Sequence, residues 1–186
     1  HYVDFINKYF LNINFKDYLN KINELESLYA SNKIKFSLFD LQCLEFLRMC
    51  DYLKNFSEEN NIKINIFERD ATGKELFTAE KFFFDQVFQN YKFSKQNFLD
   101  RYSTILDNKD FIFFTNISSL GRECFGINRK VILFSKWLYK FNPDFFQKES
   151  IFCSIEENQD EFNSRLKRLI NMDSSDFKAN KEKVKN

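Results

Sequence analysis

Glycine, proline and histidine are scarce in this chain. Its 186 residues hold three glycines, one proline and one histidine, His1. With histidine effectively missing, Ser-His-Asp and Cys-His nucleophilic arrangements have no residues to be built from, and the same holds for His-bearing metal sites. No metal ligand set is expected. Neither a Walker A loop nor a G-x-G-x-x-G fingerprint occurs, which speaks against ATP hydrolysis and dinucleotide redox chemistry. Charge of one sign is also lacking. The 28 basic and 27 acidic residues leave a net charge of +1, so no nucleic-acid surface is expected, since such surfaces carry a basic excess. Long apolar runs are absent too, because charges interrupt each run before it reaches membrane-spanning length.

The four cysteines, Cys43, Cys50, Cys124 and Cys153, form no C-x-x-C pair. They are expected to be reduced core thiols rather than a disulfide or metal framework. The first ten residues carry Asp4 and Lys8 and lack the apolar centre of a secretory leader. Together these features predict a cytoplasmic protein, with peripheral association with the inner membrane left open.

What the chain does have is apolar bulk. Hydrophobic residues make up 44% of it, and 26 are phenylalanine. That is too apolar for a disordered segment, and the length is enough to bury a core unaided. Phe15, Tyr18, Leu19, Ile22, Leu25 and Leu28 recur at helical spacing. A second helix is predicted from an Asp40 cap to about Phe56, with Cys43, Phe46, Leu47, Cys50 and Leu53 on its inner face. Residues 55–61 read as a polar connector. Ile62, Ile64 and Ile66 alternate as in a strand. Residues 70–78 read as a loop. A helix capped by Thr78 is expected through about Gln89, then a connector over 90–95 and a short helix over 98–106.

The informative stretch is 110–135, D-F-I-F-F-T-N-I-S-S-L-G-R-E-C-F-G-I-N-R-K-V-I-L-F-S. Residues 111–115 and 131–134 are uninterrupted apolar runs, the pattern of parallel strands covered on both faces. The segment between them is long enough for a helical crossover. Ser118 or Ser119 is a suitable N-cap, and Gly126 a suitable stop through positive φ. Beyond Pro143, a last helix is expected from Ser154, with Phe162, Leu166 and Leu169 turned inward. Residues 178–186 read as a charged mobile tail.

A buried strand feeding N-I-S-S-L-G-R-E is the candidate site. Helix N-termini present unpaired N–H groups and partial positive charge to phosphates. Ser118, Ser119 and Gly121 are small enough to let a ligand approach the backbone. Glu123, one turn on, is placed to accept hydrogen bonds from ribose hydroxyls. The bland alternative is that Ser119 only caps a helix. Arg69, at the end of the earlier strand, is a candidate phosphate contact against an ordinary surface ion pair. Asp70 is a weak candidate for a catalytic base. Trp137 and Tyr139 are candidates to stack on a base, though core packing claims most aromatics in so aromatic a chain.

The stretch from Asn116 to Phe134 resembles the S-T-L-G-x-E-x-x-x-x-G-x-K-V motif in the C-terminal domain of GT-B-type bacterial glycosyltransferases of surface and capsular polysaccharide biosynthesis. Ser118 and Ser119 align with the Ser-Thr pair, Gly121 with the glycine, Glu123 with the glutamate, and Lys130-Val131 with the entry to the next strand. Glu68-Arg69, followed by Glu80 and Phe83, is similar to the strand-Arg and E-x-x-F-Y element of that family. Ser119 stands where threonine is usual, and Gly126 lies farther from Lys130 than the pattern has it.

The resemblance implies an α/β, Rossmann-like domain with a mostly parallel sheet flanked by helices. It spans 59–177, after a helical segment over 1–58 and before the tail. It also implies a nucleotide-sugar donor, whose diphosphate lies at Ser118, Ser119 and Gly121, whose ribose lies on Glu123, and which has Arg69 nearby. A glycan acceptor is the second partner implied, and no cofactor is needed. The competing reading is a non-catalytic α/β interaction domain that has lost its ligand.

Overall fold

A computed structural model describes residues 2–10, 17–67, 84–88, 91–94, 103, 112–115, 119–141 and 150–184. The chain divides into two compact units, His1–Leu106 and Asp107–Asn186. The expected boundary after residue 58 falls within a helix of the first unit.

The first unit opens with three helices, α1 (Tyr2–Phe10), α2 (Tyr18–Ala30) and α3 (Leu38–Asn60). The apolar spacing read from the sequence is what packs them. Tyr18, Ile22 and Leu25 of α2 join Phe5 and Phe10 of α1 and Cys43, Leu44 and Leu47 of α3 in one buried cluster. The start of α3 differs from expectation. Ser37 is the N-cap and Asp40 is its partner in a capping box, with Asp40 N donating to Ser37 Oγ at 3.1 Å and Ser37 N to Asp40 Oδ2 at 3.0 Å. The helix then continues through the stretch read as a connector and stops only where Asn61 adopts φ 51°.

β1 (Ile64–Phe67) forms as the alternating isoleucines predict, and β2 (Tyr91–Ser94) pairs with it in parallel, Ile64 opposite Tyr91. β2 corrects the connector expected there: Tyr91 and Phe93 alternate with Lys92 and Ser94, and polar Asn90 and Lys95 on either side make the stretch read as a connector. Residues 84–87 are helical, and Phe84, Val87 and Phe88 are buried. Phe84 meets Phe46 of α3 edge to face at 6.1 Å.

The second unit holds β3 (Ile112–Thr115), α4 (Ser119–Gly126), β4 (Lys130–Ser135), β5 (Cys153–Ile155), α5 (Gln159–Asn171) and α6 (Ser174–Val184). Its sheet is parallel in the order β3-β4-β5. β4 is the middle strand, and Val131, Ile132, Phe134 and Ser135 are all buried. Neighbours along a strand face opposite ways, so both faces of β4 are covered. Phe134 meets Phe162 of α5 at 6.0 Å, and Phe152 meets Phe125 of α4 at 4.9 Å and Phe177 of α6 at 5.3 Å. Phe162, Leu166 and Leu169 are buried, as their spacing predicts.

Two further expectations are overturned here. Ser154 does not begin a helix but lies in β5, and α5 starts beyond it on an Asn158 cap closed by Glu161. Residues 178–184 of the expected tail belong to helix α6, which Lys181 anchors. Its buried ammonium donates to Phe125 O at 2.7 Å, Gly126 O at 2.9 Å and Asn128 Oδ1 at 2.6 Å. It thereby caps the carboxyl end of α4, where the helix dipole favours a cation. Lys130 does the same for α5 through Ile170 O and Met172 O.

The chain is therefore mixed α/β, with two small parallel sheets among the described residues, one in each unit. The four cysteines are free and buried. Among the described residues no helix is long and apolar enough to cross a membrane.

Candidate functional site

In a parallel sheet the loops that leave the carboxyl ends of the strands form the usual ligand edge. Among the described residues of the second unit two helices start at that edge, and their charges differ. α5 has Asp160 and Glu161 in its first turn, and its capping box already occupies the N–H groups of Glu161 and Asn158. These carboxylates repel an anion. α4 has no acidic residue in its first turn. It begins at Ser119, four residues after the last residue of β3, and its N-terminus is the more favourable of the two for phosphate.

The sequence-predicted residues fall as follows. Ser119 is the first residue of α4. Gly121 is buried in its first turn, and Glu123, one turn on, is exposed. Ser118, Arg69 and Asp70 lie outside the described residues, the last two within the span of the first unit. Gly126 ends α4 but does not stop it through positive φ. That conformation belongs to Asn128 (φ 62°), where Arg129 N donates to Cys124 O at 2.8 Å and Asn128 N to Phe125 O at 3.1 Å. This is a Schellman stop with asparagine in the glycine role.

A second group, only partly anticipated, gathers at the ends of β4 and β5. Buried Ser135 closes β4, and its Oγ accepts from Tyr139 N at 2.9 Å, which starts the 3-10 turn Leu138–Phe141. Half-buried Trp137 has the ammonium of Lys136 at 5.7 Å and that of Lys140 at 5.6 Å from its ring centre, distances at which the ring's negative face attracts cations. Lys140 also lies 3.7 Å from a carboxylate oxygen of Glu156. Tyr139 packs against Cys153 and Ile155. Burial, and then its hydrogen bond to the Glu156 carboxylate, pushes its phenol up to about 12.

Glu156 has φ 57°, and its N–H donates to Ser135 O at 3.0 Å. The other described non-glycine residues at positive φ are asparagines that end helices. A glutamate in that region costs on the order of 1 kcal/mol. Sequence reading singled out Trp137 and Tyr139 but not Lys136, Lys140 or Glu156. Their only sequence signal was position after two strands, and one of those strands had gone unrecognised.

An open groove along α5 is lined by Glu157, Asp160, Glu161, Ser164, Arg165 and Arg168. Its Arg165 is already committed to Glu157 and to Ser150 O, so the groove offers an anion little. No protein-family pattern, curated protein or solved structure matches the chain.

Proposed function

We propose that the second unit binds the diphosphate of a nucleotide-sugar at the N-terminus of α4, and that the chain is the donor-binding half of a glycosyltransferase of surface polysaccharide biosynthesis. One observation carries the binding part of this reading. Of the two described helices that start at the carboxyl edge of the β3-β4-β5 sheet, α4 alone has a first turn free of acid, and it starts at Ser119. Under this reading Ser118 and Ser119 donate from hydroxyl and backbone, Gly121 keeps the approach open, and exposed Glu123 accepts from the ribose hydroxyls. The Rossmann-like character of the unit and the sugar chemistry rest on the resemblance of residues 116–134 to the glycosyltransferase motif.

The chain's part in such a reaction is to hold and orient the donor, with its leaving diphosphate against the helix dipole, where the charge developed on bond cleavage is stabilised. Titration calorimetry of the full chain with UDP, CDP, GDP, ADP and dTDP tests the reading. Binding of at least one, weakened about tenfold or more in Ser119→Ala and Glu123→Ala as expected for hydrogen bonds to charged groups, supports it. Equal binding by wild type and both variants would remove these residues from the site.

A further inference from the structure

We propose that the first unit carries a surface that binds an anionic lipid bilayer, formed where α2 leads into α3, with Leu38 and Phe39 seated in the headgroup region and Lys33 and Lys35 on the lipid phosphates. The inference is independent of the nucleotide reading of the second unit.

Three observations converge. The first is exposure. Leu38 and Phe39 are 55% and 42% exposed, and the other large apolar side chains at the surface of the described residues, such as Leu19 and Ile127, each stand alone in the chain. Single exposed apolar residues are ordinary. This adjacent pair opens α3, while Leu41, Leu44 and Leu47 of the same helix are buried and fill the core. Leu38 and Phe39 therefore add little to the fold.

The second is charge. Lys33 and Lys35 are exposed in the segment that leads to the pair, and neither has an ion-pair partner among the described residues. The nearest acid in the chain, Asp40, is answered within the protein. Its carboxylate accepts from Ser37 N at 3.0 Å and from the Ser37 hydroxyl at 2.8 Å, and Lys8 of α1 lies within its field. Two cations thus stand beside two apolar side chains with no local acid left to offset them.

The third is the aromatic rim. Tyr9 and Tyr29 flank Phe36 at 5.6 and 5.5 Å between ring centres, and all three are half-buried. The ammonium of Lys8 lies 4.6 Å from the centre of the Tyr9 ring. Tyrosine, with an apolar body and a polar tip, suits the level of the headgroups.

The size of the apolar pair selects the partner. Two side chains exposing about half of their surface offer on the order of 200 Å². That is far below the roughly 800 Å² that each partner of a stable protein interface buries. A bilayer needs no matching surface, and lysines beside a shallow apolar insertion add their attraction to anionic headgroups.

Co-sedimentation of the full chain with vesicles tests the inference. One set is phosphatidylcholine alone and the other an equal mixture with phosphatidylglycerol. Binding is expected on the mixed vesicles, little on the neutral ones, and a decline as salt is raised. Lys33→Glu with Lys35→Glu should lower the partition coefficient by roughly thirtyfold or more, as two lysines at an anionic surface imply. Leu38→Ser with Phe39→Ser should lower it by roughly tenfold or more. Lys167→Glu with Lys178→Glu, at exposed positions of the second unit, alters the net charge equally and should leave binding as in wild type.

Wild type left in the supernatant with mixed vesicles would overturn the inference. So would binding unchanged in both variants of the first unit, or an equal loss in the pair of the second unit, which would reduce the effect to net charge. A dimer by light scattering that Leu38→Ser with Phe39→Ser makes monomeric, without vesicle binding, would assign the surface to a second copy of the chain instead. If the serine variant does not fold, the lysine variant decides.

Discussion

Replacing Arg48 with methionine should cost the first unit about 3–5 kcal/mol, the range for breaking a buried ion pair by removing one partner. Arg48 crosses from α3 to α2. Its Nε and Nη2 reach the two oxygens of Glu26 at 3.2 and 2.9 Å, and Nη1 reaches Asp51 at 3.3 Å. The side chain is 7% exposed, and those of Glu26 and Asp51 are each 10% exposed, so solvent screens these charges little. Burial alone pulls the guanidinium down, but its hydrogen bond to Glu26 and the charges of Glu26 and Asp51 prevail and raise it overall. Burial lifts the Asp51 carboxyl, and Arg48 opposes that lift.

Methionine keeps the bulk and removes the cation, which leaves two desolvated carboxylates. The Asp51 carboxyl, already raised by burial, then rises further above its unfolded value because Arg48 no longer opposes the lift. A group raised in this way contributes stability that is present below its unfolded pKa and lost as pH rises through the folded one. Arg48→Met should therefore recover stability as pH falls from 7 towards the ordinary carboxyl range. Urea unfolding followed by circular dichroism measures the cost through linear extrapolation. Adding Glu26→Gln and Asp51→Asn should recover much of the loss, because the stranded charges go with the cation. A cost below about 1 kcal/mol, the level of an exposed pair, would refute the description of this cluster as desolvated.

Other outcomes follow from the second unit. Lys181→Met removes three hydrogen bonds from a buried ammonium at the end of α4 and should cost about 1–3 kcal/mol, read as a drop in melting temperature. Gly126→Ala should stabilise by about 0.5–1 kcal/mol, because the residue ends a helix without positive φ and a Cβ there would meet nothing within 4 Å; a loss of stability in thermal melts would contradict this. Burial pushes the Cys124 thiol up to about 11 and the Cys43 thiol up to about 12, and burial with Glu156 takes Tyr139 to about 12. Acids raised in this way favour the fold below their unfolded values. Stability should hold up to about pH 9 and fall between about 9 and 12, and native-state thiol alkylation should stay slow until that fall begins.

Where the sequence was legible, strong local periodicity was the reason. The inward faces of α2, α3 and α5 and the apolar runs of β3 and β4 each declared themselves through repeated spacing. β5 did not, because three residues give alternation too little length to register, and β2, as short as β1, was hidden among polar neighbours. The stops were misread for a different reason. With three glycines in the chain, the left-handed positions after α2, α3 and α4 are taken by Asn32, Asn61 and Asn128, and asparagine is abundant enough to hide them. α6 was hidden by its charge, since the burial of Lys181 depends on carbonyls far away in sequence. At the candidate site, the Ser-Ser turn and Glu123 were visible as a motif. Lys136, Lys140 and Glu156 were not, because only the pairing of β4 with β5 brings them together.

The central claim is that a nucleoside diphosphate binds at the carboxyl edge of the β3-β4-β5 sheet. Amide chemical-shift mapping of the full chain, titrated with UDP, CDP, GDP, ADP and dTDP, tests it most directly. The account predicts that at least one of them shifts the amides of Ser119 to Glu123 with a common Kd, and leaves those of α5 unmoved. Shifts confined to α5 or to the helices of the first unit, or none with any nucleotide, would contradict it.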